Sequence, residues 1–253
     1  MKHRILPLIL TLSLCAGTAT AQKFADHWEH SVRLGYNIGG NMPMGLPATI
    51  RHLNSYTPQP NPSLGFDAIM FLNKHQRWGI QLGVRIENRG MAEDAQVKNY
   101  HMEITRGNQT LAGMFTGDVY TKVTQWGATV PLRAVWRINP KWDLKLGPYL
   151  TYVAYGKFEG WAHGGYLRVN DPTGPRVELG ETPVERGDYD FSENMRRWQY
   201  GFMLGADWHI GRRFGAYADL SWGVSRTFHT SFTTIEQDLY PVYLTLGASY
   251  RIH

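Results

Sequence analysis

The sequence predicts an all-β fold, an eight-stranded antiparallel transmembrane β-barrel with long extracellular loops and short periplasmic turns. Three observations predict it: apolar and polar residues alternate in eight segments, the amino-terminal segment reads as an export signal, and tryptophans recur at the ends of the apolar faces. Successive strand residues point to opposite sides of a sheet, so a barrel in lipid is apolar outside and polar within.

Lys2, His3 and Arg4 precede an apolar run from Ile5 to Ala16, and Ala19-Thr20-Ala21 follows it. This is the three-part pattern of a secretory signal peptide, so residues 1–21 are expected to be removed and the barrel domain to occupy 22–253. A spanning helix needs about 20 apolar residues, more than this run holds. Cleavage before a lipidated Cys15 is the rival reading. A lipoprotein signal wants a small residue before the cysteine, and Leu14 is large. No other cysteine is present.

Mean hydropathy is −0.36, which by itself would suit a water-soluble protein. Aromatic residues at 13% and charged residues at only 19% point instead to strands with one lipid face and to interfacial aromatics. The net charge is +5, and loss of Lys2 and Arg4 would leave 24 basic against 21 acidic side chains, or +3. That excess is too small and too scattered for nucleic-acid binding.

The strands follow in order. The first carries Val32, Leu34, Tyr36 and Ile38 on one face, the second Leu64, Phe66, Ala68, Met70 and Leu72, and the third Trp78, Ile80, Leu82, Val84 and Ile86. The fourth sets Trp126, Ala128, Val130, Leu132, Ala134, Trp136 and Ile138 outward. The fifth runs from Trp142 to Phe158, with Phe158 outward and Tyr155 inward, and the sixth from Trp198 to Ile210. The seventh alternates Ala216, Ala218, Leu220, Trp222 and Val224 with Tyr217, Asp219 and Ser221. The eighth sets Tyr240, Val242, Leu244, Leu246, Ala248, Tyr250 and Ile252 against Thr245, Ser249 and Arg251.

Residues 73–76, 139–141 and 211–213 have turn chemistry, whereas 40–62, 90–119, 159–196 and 229–238 are long connections. Short turns face the periplasm and long loops the exterior, which places both termini on the periplasmic side. Trp126 and Trp136 stand ten residues apart, as do Trp198 and Trp208; at the usual rise and tilt this spans about 25 Å, the height of the apolar band. Trp78, Trp136, Trp142, Trp208 and Tyr250 are therefore expected in a periplasmic aromatic girdle, with Trp126, Trp198, Trp222 and Tyr240 in an outer one.

The opposite face supplies Arg33, Asp67, Arg85, Glu87, Arg133, Arg137, Asp143, Lys145, Asp207, Asp219 and Arg251. In so narrow a barrel side chains fill the bore, and these are expected to pair as an interior charge network. A gated ion path or a proton relay is the functional alternative. A water-soluble, lipocalin-like barrel would turn this face outward, but it is rich in Gly and Arg and poor in Lys and Glu. His163, His229, Ser231 and Glu236 fall in expected loops without catalytic spacing, and His52, His101 and His163 without metal-ligand spacing. No catalytic residue, metal site or cofactor is expected. Pro58, Pro60 and Pro62 mark a stiff connection or an adhesive surface.

Several short motifs extend the picture: Trp126-Gly127-Ala128-Thr129-Val130-Pro131-Leu132, Leu146-Gly147-Pro148-Tyr149, Tyr200-Gly201-Phe202 followed by Leu204-Gly205-Ala206, and the closing Leu246-Gly247-Ala248-Ser249-Tyr250-Arg251. With them the chain resembles the PorT-like outer-membrane β-barrels of Bacteroidota. The resemblance implies an outer-membrane address in a Gram-negative cell and a link to envelope organisation or type IX secretion. It departs from barrels that end on an aromatic residue, since this chain ends Ile252-His253. Expected partners are membrane lipids, lipopolysaccharide and an envelope or secretion protein, with no nucleic acid. A narrow conduit for a small solute and a lipid-modifying enzyme are the rival roles. Intact-mass measurement of the protein from outer membranes is expected to place the mature amino terminus at Gln22; a mass that includes residues 1–21 would refute the signal.

Overall fold

The computed structural model describes residues 28–252 apart from 46, 47, 73, 74, 108, 233, 236 and 237. The expected signal peptide, residues 1–21, lies outside the described residues. Eleven strands follow in order: β1 (Trp28–Pro43), β2 (Ile50–Pro58), β3 (Pro62–Phe71), β4 (Trp78–Arg106), β5 (Gln109–Asn139), β6 (Trp142–Val169), β7 (Arg176–Leu179), β8 (Gly187–Asp190), β9 (Trp198–His209), β10 (Phe214–Gly223) and β11 (Leu239–Arg251). A 3-10 turn, Ser192–Asn194, precedes β9.

Eight of these strands close a ring. The path β4-β3-β1-β11-β10-β9-β6-β5 is completed by pairing of β4 with β5. Every pairing is antiparallel, and β1 meets β11 from Ser31↔Arg251 to Pro43↔Leu239. Closure satisfies the backbone N–H and C=O groups without a free edge, which is what lets strands cross hydrocarbon. The eight alternating segments of the sequence are these eight ring strands.

Their outward face is apolar and uncovered: Leu34, Leu64, Ile86, Leu146, Phe202 and Leu204 are each more than half exposed. A continuous belt of this kind would drive aggregation in water and is suited to lipid. The inward face is the buried one, so the water-soluble alternative, which needs the reverse, does not hold. At one end of the ring, the turn end, aromatics of paired strands stack. Trp78 lies 5.7 Å from Trp136, Trp142 6.1 Å from Trp208, and Phe214 5.2 Å from Tyr250. Asn139 Oδ1 accepts from the Lys141 N–H at 2.8 Å and tightens the β5–β6 turn. At the other end, the loop end, Tyr152 and Trp198 lie 4.9 Å apart, and Trp126 and Trp222 are exposed.

The long connections are mostly built of strand. Residues 90–119 are the upper hairpin of β4 and β5, paired from Gly90↔Thr124 to Arg106↔Gln109 with one register shift between Val97 and Tyr100. Residues 40–62 contain β2, which adds to β4 where β3 no longer covers its edge. Residues 159–196 contain the end of β6 with β7 and β8 against it. Together they form a curved sheet, the cap, standing above the loop end.

In the cap the pattern of the strands is inverted. Along β5 the bore-facing positions change from Arg133, Thr129 and Gln125 to Val123, Val119 and Phe115, all buried, while the outer positions change from Trp126 and Val130 to Lys122 and Thr124. The sheet leaves lipid and takes the ordinary polarity of a protein in water. Strict alternation puts Tyr155 and Phe158 on the wrong faces. Trp126 pairs with Tyr155 but Gly127 with Val153, so Ala154 is an extra residue in β6. Such a bulge shifts the parity of the strand. Tyr155 therefore faces outward and Phe158 is buried in the cap, the reverse of the expectation. Arg replacing Leu204, at mid-height on the lipid face, is expected to lower stability by about 2–4 kcal/mol in refolding equilibria into vesicles. Leu53→Arg on exposed β2 should stay within about 0.5 kcal/mol; equal effects would contradict the assignment of the lipid belt.

Candidate functional site: a charged bore beneath an apolar cap

Seven of the eight ring strands each send one charged side chain to the same level of the bore: Arg33 (β1), Asp67 (β3), Arg85 (β4), Arg133 (β5), Lys145 (β6), Asp207 (β9) and Asp219 (β10), all buried. Alternation puts them inward and the strand register puts them level. Arg33 donates through Nη1 to Asp67 Oδ2 at 2.7 Å and through Nη2 to Asp207 Oδ1 at 2.8 Å. Asp219 accepts from Arg85 Nη2 and from Arg133 Nη1, each at 2.7 Å. Lys145 Nζ donates to Asp207 Oδ2 at 2.5 Å. The Arg33 guanidinium also lies 3.7 Å from the centroid of the Tyr217 ring.

This crowding explains two glycines. A Cβ at Gly205 would lie 2.7 Å from Arg133 Nη1, and one at Gly83 would collide with the Asp67 carboxylate. Bare backbone is required where this inner belt of charges, hereafter the belt, presses against the wall.

Toward the loop end, Glu87 accepts from Thr129 Oγ1 at 2.5 Å and Asn37 Nδ2 at 3.1 Å, and pairs with Arg89 at 2.8 Å. Arg89 lies between the rings of Tyr149 and Tyr243, 5.3 and 5.6 Å from their centroids. At the turn end, Arg137 donates to Glu29 at 2.9 and 3.0 Å and to Asp143 at 2.8 and 3.0 Å. Arg251 pairs with Glu29 at 3.1 Å, and His209 Nε2 lies 2.9 Å from Asp143. Arg137 and Arg251 thus sit at the half-open mouth, apart from the buried belt.

Glu29 and Arg89 belong to this arrangement and were not anticipated. Both follow by counting in twos, Glu29 backward from Arg33 and Arg89 onward from Glu87, had the first and third strands been extended beyond their apolar faces. Asn61, within the proline cluster, is buried: its Nδ2 donates to Asn37 O and Gly90 O at 3.1 and 2.7 Å, and its Oδ1 accepts from Gly90 N at 2.8 Å. That segment clamps β1 to β4 at the base of the cap.

The cap encloses its own core, in which Phe158, Phe191 and Phe228 pack with Met102, Val119 and Met195. A cavity of about 80 Å³ within it is lined by Val97, Tyr100, Met102, Phe158 and Ile235 together with Glu93. Burial pushes the Glu93 carboxyl up to about 7. Its folded value lies above that of an unfolded chain, so this group stabilises the cap fully at low pH and progressively less as pH rises from about 4.5 to 7. On the cap's side, His163 lies between Asp94 and Glu181, at 3.3 and 2.8 Å. His101 Nδ1 lies 3.1 Å from Thr234 O, and the His229 N–H donates to Asn194 O at 3.0 Å. Glu236 lies outside the described residues. Among the described residues no group of His, Cys, Asp and Glu is arranged to hold a metal ion.

A family model described as outer membrane protein beta-barrel domain matches residues 20–229. No curated protein matches the sequence. Similar solved structures include Ail, the attachment invasion locus protein of Yersinia pestis, in complex with the heparin analogue sucrose octasulfate, at 14% identity and TM-score 0.37, covering 89% of this chain and 99% of that one. The outer membrane protein OprG of Pseudomonas aeruginosa is similar at 12% identity and TM-score 0.34, over 89% of this chain and 96% of that one. The outer membrane protease OmpT of Escherichia coli is similar at 11% identity and TM-score 0.35, over 89% and 94%.

Removing one partner of a buried ion pair strands the other charge, an effect of about 3–5 kcal/mol. Asp219→Ala, which strips the shared acceptor from Arg85 and Arg133, is expected to lose stability on that scale in denaturant titrations of the refolded barrel. A loss below about 1 kcal/mol would show that the belt does not hold the ring.

Proposed function

The chain belongs to the outer membrane protein β-barrel domain family, and on that premise we propose that it is a non-enzymatic barrel with a closed bore whose cap binds a partner in envelope organisation. It is an outer-membrane protein. The single observation that supports the closed bore is the belt, in which side chains from seven strands meet across the lumen and hydrogen-bond to one another. A conducting lumen would need these charges solvated and apart.

The partner surface is the outside of the cap, which faces the exterior by the usual asymmetry of turns and loops. There Tyr120 and Trp161 stack at 4.1 Å, and Arg186 lies over the Trp161 ring at 4.1 Å. Lys122, Glu159 and Asp188 border the same groove. Aromatic and arginine side chains with a polar rim are the usual composition of a protein-binding surface. The PorT-like resemblance makes a component of type IX secretion one partner class, and lipopolysaccharide and membrane lipids are the partners suited to the apolar outer face.

Hydrolytic or acyl-transfer chemistry gains little support, since the base candidate His163 is partnered by two carboxylates and not by a nucleophile. In planar bilayers the purified barrel is expected to give no discrete openings, and lipid A acylation is expected to be unchanged in a deletion strain. Stepwise conductance would establish the conduit reading, and altered acylation the enzymatic one. A photo-crosslinking residue at Tyr120 or Lys122 is expected to trap a defined envelope protein in cells, with none trapped from Leu204; equal labelling from both would overturn the cap as the binding surface.

A further inference from the structure

The belt is unbalanced. Arg33, Arg85, Arg133 and Lys145 supply four positive charges, and Asp67, Asp207 and Asp219 supply three negative ones, all buried. The layers on either side do not correct this. Arg89 is matched by Glu87, and Arg137 and Arg251 are matched by Glu29 and Asp143. One positive charge at mid-bore is left without a counter-ion.

Within the belt, unused hydrogen-bonding capacity is greatest on the wall formed by β4 and β5; Arg33 adds a single unpartnered Nε across the bore. Arg85 Nε and Nη1, Arg133 Nε and Nη2, and Gln81 Nε2 are buried donors without an acceptor. They are neighbours: Arg85 and Arg133 share Asp219, and Gln81 is in register with Arg133 across the β4–β5 ladder. At this level of the bore, Asp67 Oδ1 and Gln81 Oε1 are the buried acceptors without a donor among the described residues. Donors exceed acceptors where positive charge exceeds negative. Water could satisfy the N–H groups, but it brings no charge, and an uncompensated buried ion is strongly unfavourable.

We propose that the bore holds one small monovalent anion, chloride in ordinary media, against Arg85 and Arg133 with Gln81 as a further donor. All three residues are buried, and the excess is a single positive charge, which suits a monovalent ion. The ion would act as an eighth member of the belt, completing a layer to which β11 contributes no charge. This inference is independent of any partner at the cap.

The test uses the mature chain refolded in detergent with sodium bromide. A crystal structure is expected to show an anomalous bromide peak within hydrogen-bonding distance of the Arg85 and Arg133 guanidinium nitrogens. The midpoint of the heat-induced gel shift is expected to be at least about 3 °C higher in chloride or bromide than in gluconate at equal ionic strength. Arg85→Gln brings the belt to three charges of each sign, so the peak and the anion dependence should both vanish in the folded variant. Arg133→Gln serves if Arg85→Gln does not fold, and the bromide measurements on the unmodified chain decide without either. No peak together with stability that is indifferent to the anion overturns the proposal. So does a peak that persists in the variant.

Discussion

In hydrocarbon an unpaired backbone N–H or C=O has no water to turn to, and every later feature of this molecule follows from closing the sheet so that none is left. Eight strands are few, so the ring that closes is narrow, and its lumen must be occupied by its own inward side chains. Once inward positions are polar, each needs a partner, because burial without one is unfavourable. The result is a layer contributed by seven strands that are distant in sequence: Arg33 meets Asp207 across 174 residues. The ladder joins each strand to its two neighbours, whereas the belt joins strands across the ring.

Above the lipid the same sheet is under a different rule. Water now lies outside, so the bore side can be apolar, and Val123, Val119 and Phe115 take the positions that Arg133 and Thr129 occupy below. β5 makes this change with no break in its geometry and β6 makes it with one extra residue at Ala154. The cap is therefore a continuation of the barrel wall, held up by its own core of Phe158, Phe191 and Phe228. A rigid outer surface of stacked rings, as at Tyr120 and Trp161, rests on that core.

The ring was legible in the sequence because lipid enforces alternation of constant phase, and segments such as Trp198–Ile210 keep an apolar residue at every outward position. Inward charges were legible for the same reason: a residue between two lipid-facing positions must point to the lumen. The cap was not, and Phe115, Val119 and Val123 show why. They alternate with Thr116, Asp118 and Lys122 in the opposite phase to the membrane segments, in a series interrupted by Gly117 and Thr121. A search for one phase hears the pattern stop where it has only reversed. Tyr155 and Phe158 were misplaced by a different cause, since a bulge leaves no mark in composition. Which carboxylate each arginine meets depends on register and shear, and those are properties of the closed ring.

The reversal of phase along β5 also sets how deep the molecule floats. At Val123-Thr124-Gln125-Trp126 neither face is uniformly greasy or uniformly wet, and only there can the waterline lie. Were the barrel to sink by two residues, about 5 Å, Lys122 would enter hydrocarbon; were it to rise as far, Trp126 and its neighbours would be stranded in brine. The chain thus carries its own load line, drawn by where its side chains change allegiance.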